Sequence, residues 1–214
     1  LPIERFQEKT ASEMLHKIVS PFILRRVKTD KSIIRDLPEK NEIKIHIELS
    51  DLQKKLYRTV VEQAMRDIEE TQKDKRKRKG TILRLLTRVK QICNHPIQYL
   101  EVNNEKALKQ TYELASDEDF SLEKINLGPI LKSSIKMKRL VEMIDEVLEG
   151  GEKILIFTQY KQMGTILKTT LERMYEFKVL FYHGSVSKNK RQDMVDQFQS
   201  KELISPPIMI LSLR

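Results

Sequence analysis

One cysteine, Cys93, stands in the 214 residues, tryptophan is absent, and only six glycines are present. A single thiol excludes an intramolecular disulfide and fits a reducing compartment. His95 lies two residues away, but two ligands without a second pair make a poor zinc site, and a buried structural thiol is the expected role. No apolar run approaches the roughly 18 residues needed to span a membrane, and no signal-peptide pattern opens the chain. The phosphate loop Gly-x-x-x-x-Gly-Lys-Ser/Thr is missing, as are Gly-x-Gly-x-x-Gly, His-Glu-x-x-His and a serine elbow. The acidic "SDEDF" at 116–120 follows no apolar strand, so it does not read as a magnesium motif. No complete catalytic constellation is therefore expected in this chain alone.

Positive charge is what the chain has in excess. Lys and Arg number 40 against 31 Asp and Glu, a net charge of +9. That surplus suits a polyanionic partner, of which nucleic acid is the commonest, although an ordinary basic surface accounts for it equally.

Residues 3–20 carry helical spacing (Ile3, Phe6, Met14, Leu15, Ile18, Val19), interrupted by Pro21. "NEIKIHIELS" then alternates, with Ile43, Ile45, Ile47 and Leu49 on one face and Glu42, Lys44, His46 and Glu48 on the other, which predicts a half-buried strand. Ser50 and Gln53 form a Ser-x-x-Gln capping box opening a helix to about Glu70. "KDKRKRK" follows at 73–79. It reads as a solvated loop or, through Lys75, Arg76, Lys77 and Arg78, as a phosphate-contact loop. Gly80 precedes a helix that Asn94-His95-Pro96 terminates. Residues 101–133 are polar and irregular and read as a mobile connection.

From Ser134 the texture changes. A helix burying Met137, Leu140, Val141, Ile144 and Leu148 stops at Gly150-Gly151. Strand 153–157, helix 160–174, strand 178–182, helix 187–199 and strand 208–212 follow. Apolar strands alternating with amphipathic helices describe βαβαβ, an α/β fold with a parallel sheet and helices on both faces. A chain that starts on Leu1 and stops on a strand reads as a piece of something longer.

Ligands of open parallel sheets bind beyond the carboxyl ends of the strands. Those ends read Thr158-Gln159-Tyr160, His183-Gly184-Ser185-Val186-Ser187 and Ser212-Leu213-Arg214. Ser187 is placed to cap the helix it precedes. Three polar ends on one edge of a basic chain favour a phosphate-bearing ligand, held by hydroxyls and backbone N–H groups. His183 reads equally as a direct contact or as a helix-packing side chain.

Six blocks in register carry a resemblance: "PFILRRVKTD" (21–30), "LPEKNEIKIHIELSDLQKKLY" (37–57), "RVKQICNHP" (88–96), "KILIFTQY" (153–160), "FYHGSVSKNKRQDMVDQF" (181–198) and "IMILSLR" (208–214). Together they resemble the second RecA-like lobe of Swi/Snf-type helicase-like ATPases, in wording closer to bacterial or archaeal members. The resemblance implies an enzyme that translocates along double-stranded DNA, with ATP and Mg²⁺ held between this lobe and a first ATPase lobe of the same polypeptide. It implies DNA-backbone contacts from Thr158, Gln159, His183, Gly184, Ser185, Arg191 and Ser212. It further implies an inter-lobe linking segment and first strand at 1–49, a helical protrusion and flexible connection at 50–133, and an incomplete second lobe at 134–214. The late arginine-finger motif is not in the chain, so it is expected to be inactive alone and to bind no cofactor by itself. A DNA-bound protein complex is a further candidate partner. The expected location is the cytoplasm, with the nucleoid, in a prokaryote, or the nucleus in a eukaryote. The competing reading is a non-enzymatic nucleic-acid-binding or interaction module that keeps the lobe fold.

Overall fold

The structure, a computed structural model, describes residues 9–23, 40–70, 74–103, 105–112, 121–202 and 204–213. Residues 1–8 and 24–39 of the expected linking segment, with Ile3 and Phe6 of the expected helix, the "SDEDF" stretch and Arg214 lie outside them. The chain divides into two units, Leu1–Ile45 and His46–Arg214. In the first, helix α1 (Lys9–Val19) has the predicted period but buries none of its residues, and Met14, Leu15 and Ile18 are exposed.

The alternating segment is not a strand. Residues 40–49 carry no secondary structure, Ile43 is 84% exposed, and the boundary between the units falls between Ile45 and His46. Alternation marks a face that needs cover, but a strand exists only through a hydrogen-bonding neighbour. None is present among the described residues.

Ser50 then opens α2 (Asp51–Glu70) as its pattern requires: Ser50 N–H donates to Gln53 Oε1 (3.0 Å), and Gln53 N–H donates to Ser50 Oγ (3.2 Å). Both side chains go further. Ser50 Oγ donates to the Ser133 carbonyl (2.7 Å), and the buried Gln53 amide donates to the Ile92 carbonyl (2.7 Å).

The basic run is not a loop. Lys75, Arg76, Lys77 and Arg78 form the first turn of α3 (Lys75–Asn94), and Gly80 lies inside that helix. Asp74 is the reason. Its carboxylate accepts from the N–H groups of Arg76 (3.0 Å) and Lys77 (3.1 Å), satisfying free donors and offsetting cations at the positive end of the helix dipole. Lys and Arg are good helix formers, and neighbours in sequence fan out around the axis, which relieves their repulsion.

The described residues of 101–133 are also more ordered than their composition suggests. Helices α4 (Pro96–Asn103), α5 (Glu105–Thr111) and α6 (Leu127–Ser133) and a 3-10 turn (Leu122–Lys124) bury Leu108, Tyr112, Ile125 and Ile130. Arg173 fixes the turn by donating to the carbonyls of Leu122 (2.9 Å) and Ile125 (2.8 Å).

His95 sits at the centre of this helical layer, fully buried. Its Nε2 faces the Ile130 carbonyl (3.0 Å) and its Nδ1 faces the N–H of Ile97 (3.2 Å), so the ring is neutral with the proton on Nε2. Burial, partly opposed by the Ile130 hydrogen bond, holds its pKa down at about 4. Tyr112 completes the network by donating to Ser133 Oγ (2.9 Å), which donates to the Ile130 carbonyl (2.8 Å). Both ring nitrogens of His95 are thus engaged within the protein. Cys93 is half-buried, its thiol pushed up by burial against the opposing pull of Lys136.

Ser134 caps α7 (Ile135–Glu149), accepting from Met137 N–H (3.3 Å) and donating to the Asn94 carbonyl (2.9 Å). Met137, Val141 and Ile144 face the core, and the chain leaves the helix through Gly151 at φ +69°, a conformation that favours glycine. Then come β1 (Ile154–Thr158), α8 (Lys161–Tyr175), β2 (Leu180–Tyr182), α9 (Lys188–Gln199) and β3 (Ile208–Ser212). The strands are parallel in the order β1-β3-β2, with β3 buried in the middle. Helix α8 packs on all three strands and α9 on β2. Ile156 and Thr158 point into the core, whereas Leu155 and Phe157 on the other face of β1 are exposed among the described residues.

Candidate nucleic-acid interface

The register pairs Thr158 with Ser212 and Tyr182 with Leu211, which brings the three strand ends to one edge. The side chains there are not equivalent. Thr158 is buried; its hydroxyl accepts from Tyr160 N–H (3.4 Å) and its carbonyl from Leu213 N–H (3.0 Å). It shapes the turn rather than presenting a hydroxyl to solvent. Gln159, next along, is exposed, and Ser212 is half-buried.

Beyond β2 the chain turns through His183, Gly184, Ser185 and Val186. The His183 ring leans on Phe181, centroids 4.6 Å apart, and its Nδ1 accepts from Ser185 N–H (3.3 Å). The His183 carbonyl accepts from Val186 N–H (3.1 Å). The Ser185 and Val186 N–H groups are thus consumed inside the turn. Burial first, then the Lys161 and Arg191 cations, lower the His183 pKa, which keeps Nδ1 an acceptor. Ser187 occupies the cap position of α9, but its hydroxyl makes no capping hydrogen bond. Its carbonyl, not its side chain, begins the helix by accepting from Arg191 N–H (3.0 Å).

Arg191 turns back from the first turn of α9 onto this loop. Its Nε donates to the Val186 carbonyl (2.8 Å) and its Nη2 to the Gly184 carbonyl (2.7 Å), while the guanidinium lies 5.4 Å from the centre of the Tyr182 ring. A planar fork on two carbonyls fixes a loop in one shape. The sequence did not single out Lys161, the first residue of α8, whose ammonium donates to Ser185 Oγ (3.2 Å). That contact ties the end of β1 to the end of β2. A lysine two residues past Gln159 was the only signal of it.

His183, Gly184, Ser185 and Arg191 therefore form one unit, joined through Lys161 to the strand end at Thr158 and Gln159. The cations Lys75, Arg76, Lys77 and Arg78 belong to α3, which packs on α2 and α4. Among the described residues no group of three or more His, Cys, Asp or Glu is placed to hold a metal ion.

A parallel-sheet edge that gathers the polar strand ends and carries a braced glycine-serine turn defines the class as an α/β lobe. Comparison with known proteins gives the family. Residues 1–98 match the SNF2-related domain and residues 135–208 the helicase conserved C-terminal domain. The chain is 36% identical over its full length to YwqA of Bacillus subtilis, named as an ATP-dependent helicase/translocase, and covers 20% of it. It is 32% identical over 94% of its length to the mouse SWI/SNF-related regulator of chromatin subfamily A member 1, covering 17% of that protein. The Sulfolobus solfataricus SWI2/SNF2 ATPase core in complex with dsDNA is 36% identical over 99% of the chain, with a TM-score of 0.62 and 39% of that structure covered. The isolated C-terminal domain of the Sulfolobus solfataricus SWI2/SNF2 ATPase is 30% identical over 78% of the chain, with a TM-score of 0.59 and 60% of that structure covered. The chain belongs to the Swi/Snf family of helicase-like ATPases and carries part of its RecA-like C-terminal lobe. It spans about a fifth of the length of the curated relatives named above.

Proposed function

We propose that this chain supplies the second-lobe grip on duplex DNA in an ATP-dependent translocase. The observation that carries this reading is the strand-end edge, where exposed Gln159 and the Gly184-Ser185 turn stand beside Lys161 in a chain of net charge +9. The similarity to a SWI2/SNF2 core in complex with dsDNA supports duplex DNA as the partner. Phosphate contacts of this type fix position without reading sequence, which suits a motor that must step along any duplex.

Gln159, Gly184, Ser185 and Ser212 line the track, and Thr158 and His183 hold its backbone in shape. Among the described residues no group of three or more His, Cys, Asp or Glu is placed for Mg²⁺, and the sequence holds no phosphate loop, so the described residues do not by themselves fit ATP with Mg²⁺. Hydrolysis in this reading depends on a first ATPase lobe of the same polypeptide, and the chain alone turns over no ATP. A DNA-bound protein complex is the natural obstacle or cargo for such a motor. The location follows the host: beside the nucleoid or, in a eukaryote, in the nucleus.

The test is Gln159→Ala and Ser185→Ala in the full-length protein, assayed for ATP turnover with saturating and limiting duplex DNA. We expect the DNA concentration giving half-maximal stimulation to rise several-fold. An unchanged DNA dependence in both variants would contradict the assignment.

A further inference from the structure

We propose that Lys161 and Ser185 form a two-residue phosphate clasp, with Lys161 a DNA contact that the family's sequence blocks do not mark. The inference rests on the duplex-DNA reading above and deepens it. It follows from what the other polar groups on this edge are already doing. Two of the Arg191 N–H groups are committed to the Gly184 and Val186 carbonyls, which turns the guanidinium onto its own loop. The Ser185 and Val186 N–H groups are spent on His183. The Thr158 hydroxyl is buried and faces Tyr160 N–H.

Lys161 and Ser185 are both exposed, and no carboxylate pairs with Lys161 among the described residues. The ammonium has three donors and gives one to Ser185 Oγ, which as an acceptor still has its own O–H to give. Two N–H groups and one O–H thus converge from centres 3.2 Å apart. That is a charge-assisted, multidentate match to the adjacent oxygens of one phosphodiester. Because Lys161 follows β1 and Ser185 follows β2, one phosphate held there registers the backbone against both flanking strands of the sheet.

The experiment is fluorescence anisotropy of a labelled duplex with the full-length protein over a salt series. Variants are Lys161→Gln, Lys161→Arg and Ser185→Ala. Leaving one phosphate without its cation should reduce the slope of log K against log salt by about 0.9 in Lys161→Gln. Lys161→Arg should keep the wild-type slope. Ser185→Ala should weaken binding with its slope unchanged, since a neutral hydroxyl releases no counterion. If Lys161→Gln keeps the wild-type slope while wild-type binds duplex, Lys161 only braces the loop and the clasp is overturned. Failure of wild-type to bind duplex would overturn the underlying DNA reading as well.

Discussion

Gly164 on α8 meets the ring of Phe181 on β2 so closely that a Cβ at position 164 would overlap Cζ and Cε2 of that ring. Both residues are buried, so the ring has no solvent to swing into. This approach sets how near α8 lies to the sheet, and with it where Lys161 at the start of the helix meets Ser185.

Gly164→Ala should therefore destabilise the lobe by about 1–3 kcal/mol through overpacking. Phe181→Leu in the same chain should recover part of that loss, because it removes the ring atoms that collide. Chemical denaturation of the two single variants and the double variant checks this. Additive losses would show that the two residues do not constrain each other.

Arg191 separates positioning from contact. Its guanidinium holds two carbonyls through a rigid planar fork spanning Nε and Nη2, a geometry that the single ammonium of lysine does not reproduce. Arg191→Lys and Arg191→Ala in the full-length protein should weaken DNA-stimulated turnover alike, with the salt slope of duplex binding unchanged. Full turnover in Arg191→Lys, or a slope lowered by about 0.9 in Arg191→Ala, would instead make Arg191 a phosphate contact.

The buried His95 gives a pH dependence whose sign is fixed. Its pKa falls from the ordinary 6.5 to about 4 on folding, so the unfolded chain takes up a proton that the folded chain refuses. Stability from this group is full above pH 6.5 and is lost as pH drops from there towards 4. The total is on the order of 3 kcal/mol. Denaturation midpoints at pH 7 and pH 5 should differ less in His95→Gln than in wild-type. Equal differences would place the acid sensitivity elsewhere.

Local punctuation in the sequence foretold the elements it governs. The Ser50–Gln53 box, the Gly150-Gly151 stop and the Asn94-His95-Pro96 stop all sit where their short-range chemistry puts them, and the βαβαβ order follows from period alone. Failures came where a neighbour decides. Asp74 looked like one more charge in a basic run, yet its carboxylate turns that run into a helix start. Alternation at 41–49 lacked a partner strand among the described residues, and the described parts of the polar 101–133 segment folded because scattered Leu108, Tyr112, Ile125 and Ile130 found a shared core. At the candidate interface, residue types were readable but directions were not. Thr158 turns in, Arg191 turns onto its own loop, and Lys161 reaches a serine 24 positions away.

The helical start of α3 makes the role of the basic run measurable without unfolding it. Replacing Lys75, Arg76, Lys77 and Arg78 with glutamine keeps good helix formers and the Asp74 cap. If these cations touch phosphates, the salt slope of duplex binding should flatten by about 0.9 for each phosphate no longer neutralised. An unaltered slope would return the run to a solvated helix face.

The central claim is that this lobe grips duplex DNA for an ATP-driven motor. ATP turnover by the full-length protein, with and without double-stranded DNA at fixed low salt, tests it most directly. A many-fold rise in turnover on adding duplex is the predicted result. Turnover that is absent, or indifferent to DNA, would contradict the account.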